Sequence, residues 1–154
     1  MSLFSSTLVA IEAWPLADAI RRSVWAYPAL ETLHIASFAT VFGSLMVLEL
    51  RVFGAGPAVP LSPLARLAVP IALAAFALAA VAGLLMFISS ASEMLLNPAF
   101  QIKLGLIALA GVNAWWFHRR DSLAHHDGVA KAQSLLSVLL WIGVITCGRL
   151  IAYV

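Results

Sequence analysis

Charged side chains are scarce in this chain. Of 154 residues, 7 are acidic and 9 are Lys or Arg, so that 10% of the chain is charged, whereas a soluble domain carries about 25%. Hydrophobic residues make up 63%, and the mean hydropathy is +1.01. So little polar surface cannot cover a globule in water, which favours a membrane protein. The net charge of +2 is too small and too dispersed to indicate nucleic-acid binding.

Cysteine and the common catalytic motifs are also missing. The one cysteine, Cys147, cannot form a disulfide within the chain. There is no CxxC, P-loop, GxSxG or HExxH motif, so classical hydrolase, kinase and zinc-protease chemistry is not predicted, and no catalytic residue is assigned. No basic segment precedes the apolar residues 1–10, so we expect the first spanning helix, and not a cleaved signal peptide, to direct the chain to the membrane.

Long apolar stretches are what the sequence does contain. They cover residues 27–50, 67–92, 100–117 and 132–154. Each is close to the roughly 20 residues that a helix needs to cross a bilayer, and each is longer than a barrel strand. We therefore predict an all-α fold, a membrane four-helix bundle that occupies residues 27–154.

Residues 1–26 have a different pattern and form a separate segment. Trp14 and Pro15 fit a helix start, and apolar residues then alternate at helical spacing with Asp18, Arg21 and Arg22. Trp14 and Trp25 belong to the residue types that favour a membrane interface. This pattern predicts an N-terminal amphipathic helix on the membrane surface within residues 3–24, with a frayed tail as the alternative.

Basic residues near the span ends predict the orientation. They cluster at the ends joined by the first and third loops, at Arg51, Arg66, Arg119, Arg120 and Lys131. The positive-inside rule then places these two loops in the cytoplasm and both termini on the outer side.

Ionisable residues inside the spans are the main functional signal. By depth, Glu31, His34, Lys103 and Arg149 all fall in one layer near the outer face, and Glu93 and Asn97 lie just above it. Such groups are costly in a bilayer and normally face the bundle interior, a cavity or one another. They predict a binding site; the alternative is an ion-pair network, Glu31 or Glu93 with Lys103 or Arg149, that only holds the helices together.

A smaller polar layer is expected at the opposite face. Glu49 there would form an interfacial pair with Arg119 or Arg120. Asn113 is expected to find a partner across a helix contact, and His118 is a weaker candidate ligand.

Two further patterns have simple explanations. Ala75, Ala79 and Gly83 form a small-residue stripe, which indicates close helix packing. The pair His125 and His126 lacks the spacing that directs two imidazoles from a helix to one metal ion, so a metal site there is a minor alternative.

Several motifs resemble an uncharacterised bacterial family of small four-helix membrane proteins. They are spread from residue 27 to residue 153: residues 27–34 (YPALETLH), 48–54 (LELRVFG), 82–87 (AGLLMF), 97–103 (NPAFQIK), 111–114 (GVNA), 141–144 (WIGV) and 148–153 (GRLIAY). The resemblance implies a bacterial inner membrane, in which the orientation given by the basic residues would place both termini in the periplasm. The layout, with a histidine in the first span, is more distantly similar to b-type cytochrome and copper-resistance membrane domains.

Three functions fit these residues. The first is a redox, electron-transfer protein with haem b, in which His34 is the axial ligand, Lys103, Arg149 and Glu31 surround the cofactor, and a quinone binds near Lys103 and Arg149. His118 lies about 20 Å away along the bundle, at ~1.5 Å per residue, so bis-histidine ligation would need a homo-oligomer. The second is a cofactor-free site for an anion, proton or small solute. The third is an accessory subunit of a larger membrane complex.

Overall fold

The computed structural model describes residues 3–122 and 127–153 and has an all-α fold. Its helices are α1 (Leu3–Glu12), α2 (Pro15–Arg22), α3 (Ala26–Val52), α4 (Leu61–Ser89), α5 (Ala91–Leu96), α6 (Pro98–Arg119) and α7 (Gly128–Leu150). Four of them, α3, α4, α6 and α7, are long and apolar enough to cross a membrane. The predicted fold class is confirmed, and the protein is a multi-pass membrane protein.

The helix starts follow from local capping. Asn97 caps α6, because its Oδ1 accepts a hydrogen bond from the Phe100 N–H at 3.1 Å, and Pro98 occupies the first helical position. Asp127 caps α7 in the same way through the Ala130 N–H, at 2.9 Å. Helix α4 begins earlier than the apolar pattern indicated, since Pro63 falls in its first turn, where a missing N–H costs nothing.

The spanning helices pack as two hairpins. Helix α3 lies along α4, α6 lies along α7, and contacts between α3 and α7 join the pairs. An aromatic core fills the middle: the ring of Trp141 meets Phe38 at 5.4 Å and Phe76 at 6.3 Å, both edge-on. Val41 and Val144 are almost fully buried beside it, at 2% and 1% exposure. Phe38 and Val41 therefore lie on the face of α3 that is turned into the bundle.

The two ends of the bundle are closed differently. The α5 end comprises the starts of α3 and α6 and the ends of α4 and α7. At the opposite end, which we call the loop end, a second apolar cluster joins α3, α4 and α7 through Leu48, Val52, Leu61, Ala65, Ala68 and Ala130. The candidate site residues belong to the α5 end.

The N-terminal segment covers the α5 end. It forms two helices, and not the single one expected, because the chain turns at Ala13 and Trp14. Ala17 and Ile20 of α2 are buried, and α2 packs on α4. Arg21 Nη1 donates to the Ser89 carbonyl at 3.1 Å, and the Ser92 N–H donates to Glu12 Oε1 at 2.7 Å. The segment is thus docked on the end of α4 and on α5.

Candidate functional site

His34 is held by α4 in one orientation. Its Nδ1 lies 2.7 Å from the Ala79 carbonyl oxygen, and in a neutral imidazole that contact requires an N–H at Nδ1. Its Nε2 then carries the lone pair. A Cβ added at Gly83 would lie 3.0 Å from His34 Cε1, so the ring packs directly on the glycine backbone. The small residues Ala79 and Gly83 of α4 therefore form the surface on which this histidine packs.

Lys103 is a half-buried cation between α6 and α7. Its Nζ lies 3.5 Å from the position that a Cβ added at Gly148 of α7 would occupy. The Lys103 side chain also lies beside Cys147. Its charge also acts on His34, so the two residues share the α5 end of the bundle. Within residues 3–122 and 127–153, Lys103 makes no hydrogen bond and no ion pair.

Arg149 and Glu31 are placed differently. Arg149 is exposed; its Nη2 donates to the Tyr153 hydroxyl at 2.8 Å, and its guanidinium lies 5.2 Å from the centre of that ring. Glu31 is exposed on α3. In the part of the chain that the structure describes, neither Glu31 nor Glu93 forms an ion pair with Lys103 or Arg149, so the network offered as the alternative is not formed.

The other histidines are away from this site. His118 is exposed near the loop end, and its Nδ1 lies 2.8 Å from the carbonyl oxygen of Ala114 in its own helix. His125 and His126 lie outside the described residues. No group of three His, Cys, Asp or Glu side chains that could hold a metal ion occurs among the residues described.

The orientation of His34, the candidate axial ligand, is the part of this geometry that bears on haem binding. A backbone carbonyl on Nδ1 fixes the tautomer that leaves Nε2 available, which is how ligating histidines are usually held. Directly below His34, the aromatic core is closed by Phe38, Phe76 and Trp141. This aromatic core leaves no room for a planar macrocycle below His34, so a haem would have to lie on the side of the α5 end. There Lys103 is the cation available for a propionate.

Glu49, at the loop end, is buried and not at the membrane interface as predicted. Glu49 is 7% exposed, and its carboxyl faces the hydroxyl of Ser137 on α7. The pair expected with Arg119 or Arg120 is wrong. The rotation of α3 about its axis directs the Glu49 side chain towards α7, out of reach of Arg119 and Arg120 at the surface.

Those two arginines have other partners. Arg119 lies over the ring of Trp115 at 5.2 Å from its centre, and Arg120 Nη1 donates to Asp127 Oδ1 at 3.1 Å. Hydrogen bonding to Asp127 raises the pKa of Arg120.

Further polar residues, on α6 and α7 and in the loop after α6, are buried in the loop-end half of the bundle. Asn113 Nδ2 donates to the Gln133 carbonyl at 3.0 Å, which confirms the expected contact across helices. Ser122 Oγ donates to Gln133 Oε1 at 2.8 Å. Gln133, Ser134 and Ser137 were not singled out in the sequence. Their spacing of three and four residues, which places them on one face of α7, is the signal that could have found them.

No protein-family model, curated protein or solved structure matches this chain.

Proposed function

We propose that this membrane protein binds a small anionic ligand at the α5 end of its bundle, with Lys103 as the charged contact and His34 as a polar contact. The observation that carries the proposal is the state of Lys103. It is half-buried between two spanning helices, and the described residues give it no carboxylate partner. A cation in that position is stabilised by a counter-ion, which a ligand can supply.

The position of Lys103 makes it a stronger anion contact than the exposed Arg149. Two unit charges 4 Å apart attract by about 4 kcal/mol at an effective dielectric constant of 20 but by only about 1 kcal/mol in water. Arg149 is in addition satisfied by the hydroxyl and ring of Tyr153. An anion therefore gains most from contact with Lys103.

Thermal unfolding of the purified protein tests this binding. Chloride, phosphate or acetate is added in place of gluconate at constant ionic strength, and at least one of them is expected to raise the unfolding temperature, because a ligand that binds only the folded state stabilises it. Lys103→Met should abolish the increase. Lys131→Met, which removes an exposed cation at the other end of the bundle, should retain it. An identical increase in Lys103→Met would contradict the proposal.

Haem b is the second candidate, and the orientation of His34 favours it. With Nδ1 directed to the Ala79 carbonyl, Nε2 is the ring atom available to iron. Bound haem would supply one-electron redox chemistry. In this case Lys103 would hold a propionate, so both candidates use the same cation. A quinone near Lys103 and a homo-oligomer that supplies a second His34 belong to this candidate.

The visible absorption spectrum separates the two candidates. Protein purified after expression with adequate haem supply should show a haem spectrum if this candidate is right, and His34→Ala should remove or shift it. His118→Ala is the matched control and should leave it unchanged, since His118 lies near the loop end. Colourless wild-type protein would eliminate haem and leave the anion site.

We further propose a bacterial inner membrane as the location, with the first and third loops in the cytoplasm. The orientation is supported by the clustering of Arg51, Arg66, Arg119, Arg120 and Lys131 at the loop end, and the location by the resemblance of the sequence motifs to a bacterial membrane family. Lys103 and His34 would then be near the periplasmic face, where solutes that have crossed an outer membrane arrive.

A further inference from the structure

Glu49 is an acidic residue inside the bundle, at the opposite end from Lys103. It lies three positions before the end of α3, about 5 Å along the axis at ~1.5 Å per residue, and is 7% exposed. Its carboxyl faces the Ser137 hydroxyl. It forms no ion pair with any residue in the ranges 3–122 and 127–153.

The Ser137 side chain that faces this carboxyl is neutral. The other buried polar side chains in the loop-end halves of α6 and α7, which are Asn113, Gln133 and Ser134 at 7%, 6% and 3% exposure, are neutral as well. None of these side chains carries a positive charge. They can hydrogen-bond a carboxyl group but cannot compensate a carboxylate.

The cations at the loop end are engaged elsewhere. Arg51 Nε donates to the Val59 carbonyl at 2.6 Å, Arg119 lies over Trp115, and Arg120 pairs with Asp127. His118 on α6 is directed to the Ala114 carbonyl of its own helix. Arg66 on α4 and Lys131 on α7 are exposed. Among the residues described, no basic side chain of a neighbouring helix therefore neutralises Glu49.

We propose that Glu49 is a proton-binding site of this membrane protein. A buried carboxylate without a counter-ion is strongly disfavoured, and a proton on the carboxyl removes the charge. When the site empties, Glu–COOH gives Glu–COO⁻ and the proton passes to water at the nearby membrane face. This site is separate from Lys103 and does not depend on the anion proposal.

A proton fits this cluster better than a metal cation does. Calcium and magnesium ions take six or more oxygen ligands, usually with several carboxylates among them. Glu49 belongs to no group of three His, Cys, Asp or Glu side chains among the described residues. A proton needs only the one carboxyl.

Infrared difference spectroscopy tests the protonation state directly. Wild-type protein in lipid should show the carbonyl stretch of a protonated carboxylic acid at neutral pH, and that band should disappear in Glu49→Gln. Glu93→Gln removes an exposed carboxyl and should leave it in place. Ser137→Ala should shift its frequency, since the hydroxyl that faces the carboxyl is lost. A wild-type spectrum without a band attributable to Glu49 would overturn the proposal.

Sodium and unfolding measurements complete the test. The band should persist when sodium chloride replaces choline chloride; its loss in sodium would identify a metal cation as the occupant and overturn the proposal. Glu49→Gln mimics the protonated form, so it should fold and keep its unfolding temperature as pH is raised. The wild type should lose stability over the same range as Glu49 releases its proton, and an equal loss in Glu49→Gln would contradict the assignment.

Discussion

The imidazole of His34 reaches α4 because position 83 has no side chain. The ring occupies the space that a Cβ at Gly83 would enter, 3.0 Å from Cε1, and it donates to the Ala79 carbonyl one turn away. Neither side of the contact between His34 and Gly83 is flexible, since one is an imidazole ring and the other is a helix backbone. The orientation of the candidate ligand therefore depends on a single glycine.

Replacement of Gly83 should displace His34. We expect Gly83→Ala to destabilise the folded protein by about 1–3 kcal/mol, the usual cost of overpacking, because the ring must move away from the Ala79 carbonyl. Denaturant unfolding in detergent measures this. Gly111→Ala is the matched control, since nothing lies within 4 Å of its added Cβ, and it should be neutral or slightly stabilising. Equal stability of the two variants would show that His34 does not pack on Gly83.

At the scale of the helices, the N-terminal segment is attached to the bundle by polar contacts. The Glu12 carboxylate accepts the hydrogen bond of the Ser92 N–H, and Arg21 bridges the Glu12 carbonyl at 2.6 Å and the Ser89 carbonyl at 3.1 Å. Ala17 and Ile20 add a small apolar contact. Such a junction depends on charge, so its stability is sensitive to pH.

Docking of α1 should weaken in acid. The Ser92 backbone N–H, with a smaller contribution from the charge of Arg21, lowers the pKa of Glu12. A lowered folded-state pKa stabilises the docked form above the ordinary glutamate range, and this stabilisation is lost as pH falls through the lowered value. Hydrogen exchange at the Ser92 amide, corrected for intrinsic rates, should therefore lose protection in acid.

Substitutions isolate this contact. Glu12→Gln should reduce the protection of Ser92 at neutral pH and remove its acid dependence. Glu93→Gln alters a carboxyl at the same cleft that does not hold the Ser92 amide, and it should behave as the wild type does. Unchanged protection in Glu12→Gln would mean that the carboxylate does not dock α1.

For the whole molecule, the sequence predicts the elements better than their rotation. Apolar length alone identifies four spans, because each must cover the hydrocarbon core. The depth of His34, Lys103 and Glu49 also follows from residue counting. Which way each side chain faces does not, since rotation about a helix axis is set by its neighbours. Glu49, which was expected at the membrane interface, is accordingly buried. Arg149, which was expected inside the bundle, is exposed.

The central claim is that Lys103 is the charged contact for a bound ligand. The mass of any small molecule that the intact protein binds tests this claim most directly. Native mass spectrometry of protein extracted in mild detergent should reveal a bound small molecule in the wild type and in Lys131→Met, and none in Lys103→Met. The mass would also separate haem from a small anion. A bound molecule of the same mass and occupancy in Lys103→Met would contradict the assignment of Lys103 as the charged contact.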